Sequence, residues 1–200
     1  HSGVCSLTVV GVDERGSLDL GQLEGAMRPG ETCLVSTMWA NNETGVVFPI
    51  ETIAELAHRA GAPLHVDAVQ ALGKVPMPFS RLGVDLLSLS AHKIHGPKGM
   101  GALVVRIGVR LHPATTGGNQ ERGRRSGTEN PAGIVGMARA VALAVEHQAA
   151  ASDRMRRQRD RLEAGLLERT RGLHVSGSGV ERLPNTLHVT IENVEAEPLL

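Results

Sequence analysis

The stretch LLSLSAHKIHGPKGMG (86–101) decides the fold. An apolar, strand-like run ends in Ser90, His92 and Lys93, and a loop rich in Gly and Pro follows at once. An ammonium group leaves water only against a cost, so a lysine set directly after a buried strand has two readings. It is a carbonyl-reactive amine, or it is a solvated lysine at a strand end. The stretch by itself leaves both open.

Around it, Val84–Leu89 and Ala102–Val105 predict strands, and Leu64–Val66 predicts a short strand that delivers Asp67. Thr32–Trp39 is a continuous apolar strand followed by Asn41-Asn42-Glu43-Thr44-Gly45. Ile50–Ala60 predicts a helix with Ile50, Ile53, Ala54 and Ala57 on one face and Gly61 at its end. Nearer the start, Cys5–Val10 alternates loosely as a strand, Asp13–Gly16 turns, and Ser17–Met27 forms a helix stopped by Arg28-Pro29-Gly30. Strands alternating with helices predict an α/β fold with a mostly parallel sheet, flanked by helices and covered on both faces.

From Thr115 to Thr128 the pattern changes to a polar loop rich in glycine and arginine, TTGGNQERGRRSGT. Asn130-Pro131 then supplies a cap and a first-turn proline for a long helix, Pro131–Arg171, with a break expected near Ser152. Its second half, Asp153–Arg171, interleaves acids with arginines, the pattern of a solvated face rather than a nucleic-acid surface. Leu173–Val175 and Asn185–Ile191 predict strands of a second unit. The expected division is 1–150 as part of a large domain and 151–200 as the start of a smaller α+β domain. No initiator Met is present, and Glu195–Leu200 (EAEPLL) has the pattern of an opening helix with Pro198 in its first turn. The expectation is a piece of a longer protein.

Composition narrows the class. The chain has 200 residues, 41% hydrophobic, enough to bury a sizeable core. Lys+Arg and Asp+Glu both number 21, so no global charge points to nucleic acid or an anionic membrane. Aromatics are limited to Trp39, Phe48 and Phe79, which argues against a base-stacking platform. No apolar run approaches the ~20 residues of a membrane span, and no signal peptide is visible. Cys5 and Cys33 lie in apolar runs and are expected as buried free thiols in a reducing compartment.

In a parallel α/β sheet, ligands bind beyond the carboxyl ends of the strands. Three such ends carry polar residues: Asn42; Asp67 with Gln70; and Ser90, His92 and Lys93. Pyridoxal phosphate (PLP) needs that inventory. A buried carboxylate such as Asp67 would hold a proton on its pyridine nitrogen, and Asn42 or Gln70 would donate to its phenolic oxygen. Ser90, His92 and the loop ending at Thr128 would bind its phosphate, and Lys93 would hold its aldehyde as a Schiff base. Each residue also has a plainer role: Asp67 as cap of a short helix Ala68–Leu72, Asn42 as the maker of its turn, and His65 as a packed histidine. His92 and His95 have zinc-like spacing, but Gly96-Pro97 breaks any helix that would align them. Gly99-Met100-Gly101 lacks the spacing of a nucleotide-binding fingerprint.

HVDAVQALGK (65–74), LLSLSAHKIHGPKGMGAL (86–103), ANNETG (40–45) and GGNQERGRRSGTEN (117–130) resemble the class V aminotransferase family. Within it they are most similar to cysteine desulfurases of iron–sulfur metabolism. The resemblance implies a fold-type I PLP-dependent transferase in which residues 1–150 belong to the PLP-binding domain. It implies Lys93 as the Schiff-base lysine and proton carrier, Asp67 on the pyridinium, and Gln70 and Asn42 at the ring oxygen and substrate side. Ser90 and His92 are implied at the phosphate, with Thr128 reaching the phosphate of the partner subunit in a homodimer. The implied reaction takes L-cysteine to L-alanine and passes sulfur on as a persulfide. An iron–sulfur scaffold protein is the implied partner, and the cytoplasm the implied location. The family's nucleophilic cysteine, stacking histidine and carboxylate-binding arginine fall outside this stretch, and Asn119 replaces a usual glycine. A selenocysteine lyase, another β-eliminating relative and a non-catalytic PLP- or partner-binding remnant stay open as alternatives.

Overall fold

In a computed structural model of the chain, residues 5–197 are described. Four strands, β1 (Val35–Met38), β2 (Leu64–Asp67), β3 (Leu86–Ser90) and β4 (Gly101–Val105), form one sheet in the order β1-β2-β3-β4. The first three are parallel and β4 returns antiparallel to β3. Register places Val35, Leu64 and, through Val66, Leu87 on one face, where they are buried.

Two helices cover that face. In α1 (Leu20–Ala26), Asp19 caps the Gln22 N–H and Leu23 points inward. In α2 (Ile50–Arg59), Ile50, Ile53, Ala54, Leu56 and Ala57 are buried. The i, i+3, i+4, i+7 spacing of Ile50, Ile53, Ala54 and Ala57 makes one apolar stripe, and Gly61 ends the helix at φ +73°. Asp85, 8% exposed, ties α2 to the sheet. It accepts from His58 Nε2 at 2.8 Å and from the Leu64 N–H at 2.9 Å, and Arg106 Nε lies 3.4 Å away. A buried carboxylate needs such partners.

The opposite face differs from expectation. Because α1 and α2 both pack against the Val66 side, Met38 and Leu103 on the other side stay 38% and 49% exposed. A polar row crosses this face instead. His65 stands between Ser36 Oγ and Ser88 Oγ, each at 2.8 Å, so it is a packed histidine as its alternation suggests.

The long helix α3 (Pro131–Arg169) begins as expected, with Asn130 Oδ1 accepting from the Gly133 N–H at 3.0 Å and Pro131 in the first turn. It runs without the break expected near Ser152, because that hydroxyl donates to a carbonyl outside the helix rather than competing within it. Beyond α3, β5 (Leu173–Val175) pairs antiparallel with β6 (Val189–Ile191), and Asn185–His188 lie outside the strand expected for Asn185–Ile191. The intervening segment folds back on the turn after β1: the Leu183 N–H reaches Gly45 O at 2.7 Å and the Val47 N–H reaches Glu181 O at 2.9 Å.

Two expectations at the start of the chain fail. Cys5–Val10 forms no strand, since among the described residues it finds no partner strand and its amides face water. Leu7 and Val9 are 88% and 78% exposed. Cys5 in that segment, and Cys33 just before β1, are free but exposed rather than buried. At the other end Glu195 and Ala196 are not helical, and Pro198–Leu200 lie outside the described residues.

Candidate functional site

The carboxyl ends of β1, β2 and β3 are neighbours because the three strands are parallel. The Trp39 N–H, one residue past β1, donates to Asp67 O at 2.8 Å, so the chain leaving β1 lies against the end of β2. At the end of β3 the backbone tightens into a 3₁₀ turn, Ala91–Ile94. Its three-residue period buries Ala91 and Ile94 and leaves His92 and Lys93 exposed. Ser90 Oγ and His92 Nδ1 are 2.7 Å apart, a hydroxyl and an imidazole joined beside the Lys93 amine. His95 ends the turn in the left-handed region at φ +63°.

One helix seats the loops that leave this edge. The residues of α3 that face them are small or short: Gly133, Gly136, Ala140, Ala144, Gln148 and Ser152, spaced three or four apart. A Cβ on Gly136 would stand 2.7 Å from Pro97 Cγ, and one on Gly96 would stand 3.0 Å from Ala140 Cβ. The backbone after Lys93 therefore lies directly on α3. Further along, a Cβ on Gly73 would stand 3.0 Å from Ala144 Cβ. Ser152 Oγ and Gln148 Nε2 then donate to Lys74 O at 2.6 and 3.2 Å. The loop carrying Lys93 and the turn carrying Gln70 thus share one support.

That second turn corrects two expectations. Residues 69–74 are turns rather than a helix. Asp67 Oδ1 nonetheless accepts from the Val69 N–H at 2.9 Å, the short-range bond typical of an aspartate that starts a turn. Asp67 is exposed rather than buried, because it sits on the sheet face that α1 and α2 leave open. Asn42 is exposed in the turn after β1, and the turn is made by its neighbour: Asn41 Oδ1 accepts from the Glu43 and Thr44 N–H groups, each at 2.9 Å. Thr128 is exposed in the 115–128 loop and is not brought to the edge that carries Lys93 by any hydrogen bond. Asn119 has φ −91°, a conformation open to any residue, so its replacement of glycine causes no strain.

Lys74 was not singled out by motif. Its Nζ donates to Gln70 O at 2.9 Å and to Gln70 Oε1 at 3.2 Å. Burial, and secondarily the positive charge of Lys93, hold its amine below the ordinary lysine range. The available signal was the four-residue spacing from Gln70 to Lys74, which becomes a contact only once the chain turns there.

Among the described residues no group of three or more His, Cys, Asp or Glu side chains is placed to hold a metal ion. Among the described residues no helix is long and apolar enough to cross a membrane. A surface cleft of about 410 Å³ is lined by Glu14, Arg15, Val175 and Gly177–Gly179 and contains none of the candidate residues. Apart from Thr128, the candidate residues sit instead at the exposed carboxyl ends of β1, β2 and β3.

This edge, on a mostly parallel sheet with a lysine directly after a central strand, defines a fold-type I α/β protein. Residues 2–200 match the aminotransferase class-V family, and the chain belongs to it. It is 54% identical over 191 residues to a cysteine desulfurase of Gluconacetobacter diazotrophicus, covering 96% of this chain and 48% of that protein. Among solved structures it resembles a NifS-like protein with TM-score 0.90 and 43% identity, over 96% of this chain and 52% of the other. It also resembles a NifS-like protein from Rickettsia africae with TM-score 0.90 and 34% identity, over 95% and 53%. The chain spans about half the length of the relatives it matches.

Proposed function

We propose that this chain supplies the cofactor-anchoring part of a PLP-dependent cysteine desulfurase, which takes L-cysteine to L-alanine and passes the sulfur on as a persulfide. The observation that carries the reading is the junction at the end of β3. There a hydroxyl and an imidazole meet at 2.7 Å beside an exposed amine, in a turn seated on α3. The donor set suits a phosphorylated aldehyde. Lys93 is an exposed amine, Ser90 and His92 form a pair for an oxyanion, and Asp67 accepts from Val69 through Oδ1 alone.

On this reading Lys93 is the catalytic residue: its amine would hold the cofactor's aldehyde and would carry the proton at the substrate α-carbon. Ser90 and His92 bind the phosphate, together with Thr128 from the second copy of a homodimer. Asp67 would hold the proton on the pyridine nitrogen, and Gln70 and Asn42 would serve the ring oxygen and the substrate side. When bound, PLP supplies the electron sink that weakens bonds at the substrate α-carbon. The sulfur nucleophile is neither Cys5 nor Cys33. Cys33 precedes β1, at the opposite end of the strand from Asn42, and Cys5 lies outside the sheet. Residues 1–150 form part of the PLP-binding domain and 151–200 begin a smaller one. A cytoplasmic location and delivery of sulfur to an iron–sulfur scaffold complete the proposal.

The test is alanine formation by the whole protein loaded with PLP, given L-cysteine or L-selenocysteine. Turnover of cysteine that disappears in Lys93→Ala is expected. Turnover of selenocysteine alone assigns a lyase, and PLP binding without either activity assigns a non-catalytic relative.

A further inference from the structure

We propose that Lys74 is a positioning residue of the cofactor site: its ammonium takes Gln70 Oε1, leaving the Gln70 Nε2 donor for the cofactor's ring oxygen. This rests on the PLP reading above. A glutamine side chain presents an acceptor at one end and a donor at the other, and only the donor suits a phenolate. An ammonium has donors and no acceptor, so its bond to Gln70 at 3.2 Å selects the carboxamide orientation in which oxygen faces Lys74. The second bond, from Nζ to Gln70 O at 2.9 Å, fixes Lys74 over the same turn.

The arrangement is anchored from behind. Ser152, 3% exposed, donates to Lys74 O at 2.6 Å. Gln148 Nε2 donates to the same carbonyl at 3.2 Å and to Ser152 Oγ at 3.1 Å. Three α3-to-turn contacts, counting Ala144 against Gly73, therefore hold the backbone from which Lys74 reaches forward. Lys74 is half-buried, and the positive charge of Lys93 adds to burial in holding its amine below the ordinary lysine range. Lys74 does no bond-making; it acts through Gln70.

The experiment is a double-mutant cycle in the whole protein, comparing Lys74→Met, Gln70→Ala and the pair. Its readouts are the PLP dissociation constant and the position and pH-dependence of the bound cofactor's visible absorption band. Lys74→Met is expected to weaken PLP binding roughly tenfold and to move the band, as loss of a hydrogen bond to a charged group would. It should add nothing in the Gln70→Ala background. A general structural role would lower stability and leave the band of the folded protein in place. Additive effects, or an unmoved band in Lys74→Met, overturn the proposal. If Lys74→Met does not fold, Ser152→Ala replaces it, and is expected to move the band in the direction of Gln70→Ala; an unmoved band there overturns the proposal equally. Wild-type protein that gives no visible band with PLP contradicts the cofactor reading itself.

Discussion

Two loops of this chain are rich in glycine, and they are built on opposite principles. In the loop after Lys93 and its exit into β4, Gly96 and Gly101 are there because neighbouring groups occupy the space of a side chain, whereas Gly99, at φ +79°, would meet nothing. A Cβ on Gly96 would stand 2.9 Å from Ala91 Cβ and 3.0 Å from Ala140 Cβ, and one on Gly101 would stand 2.9 Å from Leu89 O. In the 115–128 loop, glycines meet only their own surroundings. A Cβ on Gly118 would touch the end of the Gln120 side chain, one on Gly127 would touch Arg125, and one on Gly123 would meet nothing. The first loop is shaped by the fold that carries it. The second is shaped by itself, with Glu121 and Arg122 at positive φ and no buried residue in its 3₁₀ turn. Similar composition thus conceals one loop seated on α3 and one loop whose glycines meet only its own residues.

The contrast predicts a graded series in the whole protein, read as urea midpoints and PLP affinity. Gly96→Ala should have the largest effect, ~2 kcal/mol of stability from overpacking against α3, with loss of PLP affinity because Lys93 moves. Ser152→Ala should cost about 1–2 kcal/mol, since the Lys74 carbonyl loses its best buried donor. Gly123→Ala should cost ~1 kcal/mol for a left-handed backbone at φ +75°, with PLP bound as before within one protomer. Gly118→Ala should fall within ~0.5 kcal/mol of wild type, because a flexible glutamine end moves aside. If Gly96→Ala and Gly118→Ala prove equal, the contrast between the loops is lost.

A smaller effect follows from Lys74. The fold lowers the affinity of this amine for its proton, whereas the unfolded chain keeps it up to about 10.5. Between those two values the unfolded state binds more protons, so the Lys74 contribution to stability rises with pH across that window. Lys74→Met should remove this rise, seen as a flatter alkaline limb in urea midpoints than wild type shows. An unchanged limb would mean that Lys74 is solvated.

How far the fold was legible follows the range of the forces involved. Helix α2 and the Asn130 cap of α3 are set by neighbouring residues, and their sequence patterns translate directly into structure. A strand is different, because its identity depends on a partner. Cys5–Val10 has strand-forming residues, finds no partner among the described residues, and leaves Cys5 in water. Burial also depends on what covers a face, so Asp67 ends β2 as its pattern implies and yet is exposed. Ser152 reads as a helix breaker only while its hydroxyl has no outside acceptor, and the Lys74 carbonyl provides one. The strand-end trio of Ser90, His92 and Lys93 was visible because all three lie within four residues. Its link to Gln70 through Lys74 and α3 required the fold.

Lys74 and Lys98 are the lysines that would compete with Lys93 for the cofactor's aldehyde. Borohydride reduction of the PLP-loaded whole protein, followed by proteolysis and peptide mass mapping, distinguishes them. The pyridoxyl label is expected on the peptide containing Lys93, and none on Lys74 or Lys98. Label on either of those two lysines instead, or label that persists in Lys93→Ala, would contradict Lys93 as the cofactor-binding amine.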